Sequence, residues 1–190
     1  MFEEVPVKII WFYKRWQPAY DEMQKTIPII EFEDSLPAED FSTLAPVKTG
    51  GEGYFHWIIV LDDLMSAATS SDTILSLFTE GSHHLNASIF FITQNMFYQA
   101  KHNRSISLNC QTFILWRSPR SALQVRLLAR EMYCNKKKFE CVFLNIYDAI
   151  TSQDLRNPMI LDLNPRRDER KRILSHILPE EQCIAYEMLE

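Results

Sequence analysis

Glycine is scarce: the 190 residues hold only four, Gly50, Gly51, Gly53 and Gly81. None opens a G-x-x-x-x-G-K-S/T turn, whose backbone N–H groups and lysine cradle β- and γ-phosphates. Lys48-Thr49-Gly50-Gly51 has similar letters in a different order. No apolar run approaches the ~20 residues that span a bilayer. Residues 1–20 lack a basic start, an apolar core and a small-residue cleavage site, which predicts an intracellular chain with no membrane partner. A net charge of −5 gives no global attraction to nucleic acid, so any such contact needs a local basic patch. The four cysteines, Cys110, Cys134, Cys141 and Cys183, lack the close pairing of a zinc site and read as reduced, half-buried thiols. Adjacent His83 and His84 diverge, with no second ligand pair near them, which argues against a metal there.

What is present is ordinary globular material: 46% apolar and 24% charged residues, enough length for one domain with a single core. Two apolar runs stand out. Trp57-Ile58-Ile59-Val60-Leu61 ends in Asp62-Asp63, and Ser88-Ile89-Phe90-Phe91-Ile92 ends in Thr93-Gln94-Asn95. Short continuous apolar runs predict strands of a parallel sheet buried on both faces. In such sheets ligands bind outside the carboxyl ends of the strands. Both runs deliver polar side chains to that edge.

Further strands are expected at Val7 to Tyr13, Ile29 to Phe32, Thr112 to Trp116 and Met159 to Leu163. Helices are expected at Ala19 to Lys25 behind Pro18 and at about Asp72 to Glu80, capped by Ser70 or Ser71 and stopped by Gly81. Another starts at Ser118-Pro119, and a last one covers Phe139 to Ile150. The Gly50-Gly51-Glu52-Gly53 cluster reads as loop. The alternation predicts an α/β fold, and residues 164–190 read as a charged tail with weak helical signal.

An apolar strand ending in two acids matches the Walker B pattern. There the first carboxylate, here Asp62, holds a phosphate-bridging Mg²⁺, and the second, Asp63, orients or deprotonates the attacking water. Strand ends also carry Asp simply as turn or cap residues. Thr93, Gln94 and Asn95 sit where a γ-phosphate-sensing residue would stand, or else form a local hydrogen-bonded turn. Lys101, Arg104, Arg117 and Arg120 follow strand ends as arginine-finger candidates or as solvated surface. Arg166 to Arg172 is basic, but Asp168 and Glu169 within it suit a solvated face.

Several segments in order resemble the FtsK–HerA-type viral DNA-packaging ATPases, most nearly those of adintovirus- and Maverick/Polinton-like elements. They are Ile10-Trp11-Phe12-Tyr13 with Trp16-Gln17-Pro18-Ala19-Tyr20, Ile59 to Ser66, Leu77 to His84, Thr93-Gln94-Asn95, Arg104 to Asn109 and Leu128 to Tyr133. The resemblance implies an incomplete P-loop NTPase, RecA/FtsK-like, with a mostly parallel sheet flanked by helices and the P-loop strand missing. The matching segments run over about residues 8–163, so a partial ATPase core is expected at 1–163, followed by the tail at 164–190.

The resemblance also implies Asp62 as metal ligand, Asp63 and Gln94 as catalytic groups with Arg104 in the same segment, and Thr93 and Asn95 near the nucleotide. Mg²⁺ and ATP would be the cofactors of complete relatives. Double-stranded DNA, capsid proteins and a homo-oligomeric ring would be the partners. Two departures stand out: no phosphate-binding loop precedes Val7, and Ser118-Pro119-Arg120-Ser121 stands where an Asn-Pro-Arg-Asp-like run is expected. The chain thus reads as a truncated or degenerate form, inactive alone. The alternative is a non-catalytic module that keeps the ATPase fold, as an inactive ring subunit. The expected sheet has four to five strands, with Ala87–Thr93 and Thr112–Trp116 closing on each other or leaving a groove. The site reading requires Asp62 and Thr93 at the same end of that sheet.

Overall fold

The computed structural model describes residues 5–37, 40–50, 53–134, 136–154, 156–177 and 181–188. Gly51 and Glu52 of the glycine cluster therefore lie outside the described residues. The chain divides into two compact units, 1–109 and 110–190.

The first unit is built on β1 (Ile9–Tyr13), α1 (Pro18–Thr26), β2 (Ile30–Glu33), β3 (Trp57–Asp62), α2 (Met65–Ser70), α3 (Asp72–Ser76), α4 (Ser82–His84), β4 (Ala87–Ile92) and α5 (Asn103–Asn109). Its four strands form an all-parallel sheet in the order β2-β1-β3-β4. The chain is therefore α/β with a parallel sheet flanked by helices. The reason is legible in β3: five consecutive residues, Trp57 to Leu61, are buried, as befits a central strand covered on both faces. Trp57, completely inaccessible, satisfies its indole N–H on the Leu85 carbonyl at 2.9 Å. On β1 burial alternates, with Ile10 and Phe12 in the core and Trp11 and Tyr13 half-buried on the other face. The outer strand β2 carries Glu31 and Glu33, charges that suit a sheet edge.

Local chemistry sets the helix ends. Pro18 opens α1 in its first turn, where a missing N–H is harmless. The Ser71 hydroxyl accepts from the Ile74 N–H at 3.3 Å and caps α3. The helix expected to stop at Gly81 instead widens into a π turn over Leu77–Gly81 and continues into α4. Gly81 has helical φ, −61°, so it is no terminator; a Cβ there would lie 3.3 Å from the Ser76 carbonyl oxygen. α2 was not expected from the sequence. Its six residues, Met-Ser-Ala-Ala-Thr-Ser, are too short to show a helical period.

The second unit contains β5 (Thr112–Leu115), α6 (Ala122–Met132), α7 (Lys137–Gln153), β6 (Met159–Asp162), β7 (Ile173–Ser175) and β8 (Ile184–Tyr186). Its strands pair antiparallel in the order β5-β6-β7-β8. Here the expected sheet needs correction: Thr112–Leu115 does not extend the parallel sheet but pairs with Met159–Asp162. Short apolar runs carry no signal of strand direction, which explains the error. Residues 164–190, read as a charged tail with weak helical signal, supply β7 and β8. Ile173 is buried in β7, and Arg172 donates to the Asp162 and Asn164 carbonyls. Ser118 provides no side-chain cap, and a 3-10 turn at Pro119–Ser121 leads into α6. The core of this unit gathers Val125, Leu128 and Ala129 of α6, Phe143 and Ile150 of α7, and Met159 and Leu161 of β6.

Candidate functional site

Parallel pairing of β3 with β4 aligns Asp62 with Ile92, so Asp62 and Thr93 lie at the same carboxyl end of the sheet on adjacent strands. The same register aligns Asp62 with Tyr13 of β1. Paired residues of parallel strands face the same side, so Asp62 emerges on the face that carries Trp11 and Tyr13. There its Oδ2 accepts from the Tyr20 hydroxyl of α1 at 2.6 Å and from the Trp11 indole N–H at 3.3 Å. Burial, reinforced by the hydrogen bond and negative charge of Asp62, pushes the Tyr20 phenol up to about 12.

Around this bond stands an aromatic cluster that the sequence reading missed. Tyr20 stacks on Phe32 of β2 with centroids 4.9 Å apart, and Trp11 lies 6.1 Å from Phe32. Trp16 meets Tyr13, Tyr20 and Phe32 at 5.4, 5.5 and 5.4 Å. A usable signal was present: Trp11 and Tyr13 share a strand face, and Phe32 is the β2 partner of Trp11.

Asp63 follows at the strand tip, exposed and in the left-handed backbone region, with φ of 54°. Asp tolerates this region better than most residues because its short polar side chain bonds locally. The polar trio after β4 has a different fate. Thr93 Oγ1 accepts from the Asn95 N–H at 3.2 Å, and Asn95 Oδ1 accepts from the Phe97 N–H at 3.1 Å. These are side-chain turns of the ST and Asx kind. Gln94 is exposed between them.

Arg104 is exposed on α5 and makes no ion pair with Asp62 or Asp63 among the described residues. Lys101 is committed elsewhere, its ammonium 2.9 Å from Asp72, and holds that carboxyl below the usual carboxylate range. His102, buried, brings Nε2 to 2.7 Å from the same Asp72 oxygen, but not in line for a directed hydrogen bond. In the second unit, Arg117 and Arg120 are exposed, while Arg167 reaches Asp162 at 2.7 Å and Arg170 reaches Asp168 at 3.3 Å. Of the five cations in the basic stretch, Arg167 and Arg170 are thus paired with acids of their own unit, and Arg172 donates to carbonyl oxygens.

A Mg²⁺ ion keeps several waters and is typically held by one or two carboxylates. Asp62 meets that requirement through Oδ1, which neither Tyr20 nor Trp11 occupies. Among the described residues, no three His, Cys, Asp or Glu side chains gather at metal-binding spacing. No helix among the described residues is long and apolar enough to cross a membrane. Comparison with protein-family models, with curated proteins and with solved structures finds no match to this chain.

Proposed function

We propose that the parallel-sheet unit is the Walker B side of a nucleotide site of the DNA-packaging ATPase type, and that the chain by itself does not hydrolyse ATP. The observation that carries the reading is the β3–β4 register. It sets the Asp62-Asp63 pair beside the Thr93-Gln94-Asn95 turn at the ligand-binding edge of a parallel sheet. In this reading Asp62 offers Oδ1 to the cation while Tyr20 and Trp11 fix the other carboxylate oxygen. Asp63 orients or deprotonates water, and Gln94 reports the terminal phosphate. Bound Mg²⁺ would neutralise phosphate charge. Arg104 belongs to the surface that neighbouring subunits of a ring would read. Double-stranded DNA and capsid proteins are the partners the resemblance implies.

Inactivity follows from the phosphate cradle: no G-x-x-x-x-G-K-S/T run occurs in the 190 residues, and without it β- and γ-phosphates lose their main backbone and lysine ligands. A second reading, a non-catalytic interaction module on the same fold, draws support from a specific observation. Thr93 and Asn95 spend their side-chain acceptors on local turns, and one Asp62 oxygen is tied to aromatic donors.

Titration with Mn²⁺ and ADP, followed by water-proton relaxation, separates the two. Weak binding abolished by Asp62→Ala supports the nucleotide-site reading; binding indifferent to Asp62→Ala, or none at all, leaves the interaction module. ATP turnover that Asp62→Ala abolishes would refute the claim of inactivity.

A further inference from the structure

The turn between β1 and α1, Lys14-Arg15-Trp16-Gln17, is exposed throughout. Trp16 keeps 44% of its surface accessible, whereas Trp57 of the same unit is completely buried. Exposure here is not looseness. Three rings, Tyr13, Tyr20 and Phe32, hold the Trp16 indole at centroid distances of 5.4–5.5 Å, with interplanar angles of 77°, 89° and 63°. A large aromatic surface is thereby fixed in place and left in water, an arrangement that costs hydrophobic free energy unless something stacks on it.

The residues beside it say what would stack. Lys14 and Arg15 are both exposed, and among the described residues neither makes an ion pair. In a chain of net charge −5, two adjacent cations with no ion pair among the described residues stand next in sequence to a fixed indole. Asp62, level with Tyr13 at the end of β1, has one oxygen turned to Tyr20 and Trp11.

We propose that the Lys14-Arg15-Trp16 turn is a nucleobase-stacking site: Trp16 takes the face of a base while Lys14 and Arg15 take the phosphate attached to it. The chemistry is that of single-strand binding surfaces, where every base presents a π face and the basic groups follow the backbone. The ligand is a base carrying a phosphate, whether from a free nucleotide or from a single strand of nucleic acid. The site stands independently of any cation at Asp62.

The test uses the full chain at low salt with a chelator present, so the outcome does not depend on divalent-cation binding. Fluorescence anisotropy of a labelled oligothymidylate is expected to show binding that Trp16→Ala weakens by at least about fivefold and that Trp16→Phe retains. Lys14→Ala and Arg15→Ala should each flatten the salt dependence. Competition by thymidine monophosphate would assign a free nucleotide, and its failure to compete would assign a strand. Should Trp16→Ala fail to fold, the double reversal Lys14→Glu/Arg15→Glu takes its place and is expected to abolish binding. The proposal is overturned if the unsubstituted chain binds neither probe. It is equally overturned if a folded Trp16→Ala, or the double reversal, binds as tightly as the unsubstituted chain.

Discussion

The Tyr20 hydroxyl donates to Asp62 Oδ2 over 2.6 Å, a bond between residues 42 positions apart that ties α1 to the tip of the central strand. It gives the candidate metal ligand a fixed orientation, and it lies under a lid of rings, with Tyr20 only 2% exposed. A carboxylate accepting from a buried phenol is a charge-assisted bond, stronger than a neutral pair.

Tyr20→Phe deletes that donor while keeping the ring, so the Phe32 stack survives. Hydrogen bonds to charged groups contribute about 1.5–3 kcal/mol, and a loss of that size is expected in urea unfolding at pH 7. The pH dependence has a definite sign. The phenol titrates near 10 when unfolded but at about 12 when folded, so the unfolded chain releases its proton first. Stability contributed by the phenol is complete below pH 10 and is lost as pH rises towards 12. The unsubstituted chain should therefore lose stability over that window faster than Tyr20→Phe. Parallel curves would mean that Tyr20 is not held as a protonated donor to Asp62.

The cysteines divide by environment. Cys134, Cys141 and Cys183 are exposed, whereas burial pushes the Cys110 thiol up to about 11. Since the thiolate is the nucleophile, maleimide labelling at pH 8 should show three fast thiols and one at least about tenfold slower. Mass mapping should assign the slow one to Cys110. Four equal rates would contradict its burial.

Ser71 and Ser70 are adjacent, yet only Ser71 caps α3, accepting from Ile74 N–H. Ser71→Ala should cost about 1 kcal/mol, and Ser70→Ala, at the exposed end of α2, less than about 0.5 kcal/mol. Urea midpoints of the two variants check the contrast; equal midpoints would mean the cap contributes nothing.

Of the two apolar runs read as strands covered on both faces, β3 is buried, but β4 stands at the end of its sheet's strand order and is half-buried, with Ile92 exposed. β3, apolar without interruption, could only be a covered strand, and its abrupt end in Asp62-Asp63 fixed where the polar edge would be. Strand direction was not legible, because Thr112–Leu115 offers the same short apolar run whether its partner lies parallel or antiparallel. β7 and β8 were hidden by their length, three residues each, inside a charged stretch. The position of Asp62 and Asp63 at the carboxyl end of β3 was legible from their place after an apolar run. Tyr20 and Trp11, which bond Asp62, escaped notice because that bond joins distant segments and leaves no periodic trace. Both readings of Thr93 and Asn95 were open from the residues, and the turn hydrogen bonds are what the structure contains.

Asp63 offers a way to separate fold from chemistry. Its φ of 54° lies in the left-handed region, which costs an L-residue with a Cβ roughly 1–2 kcal/mol and glycine almost nothing. Asp63→Ala should therefore destabilise the chain by about 1 kcal/mol, since it keeps the Cβ and loses the polar group that eases this conformation. Asp63→Gly should unfold at a urea concentration equal to or above that of the unsubstituted chain. That makes glycine the informative substitution: it removes the carboxylate while leaving the tip of β3 unstrained, so any lost nucleotide response is chemical. If Asp63→Gly instead costs 1 kcal/mol or more (~fivefold in the folding equilibrium), the carboxylate is holding the turn together, and Asp63 is better read as a structural residue at a strand end.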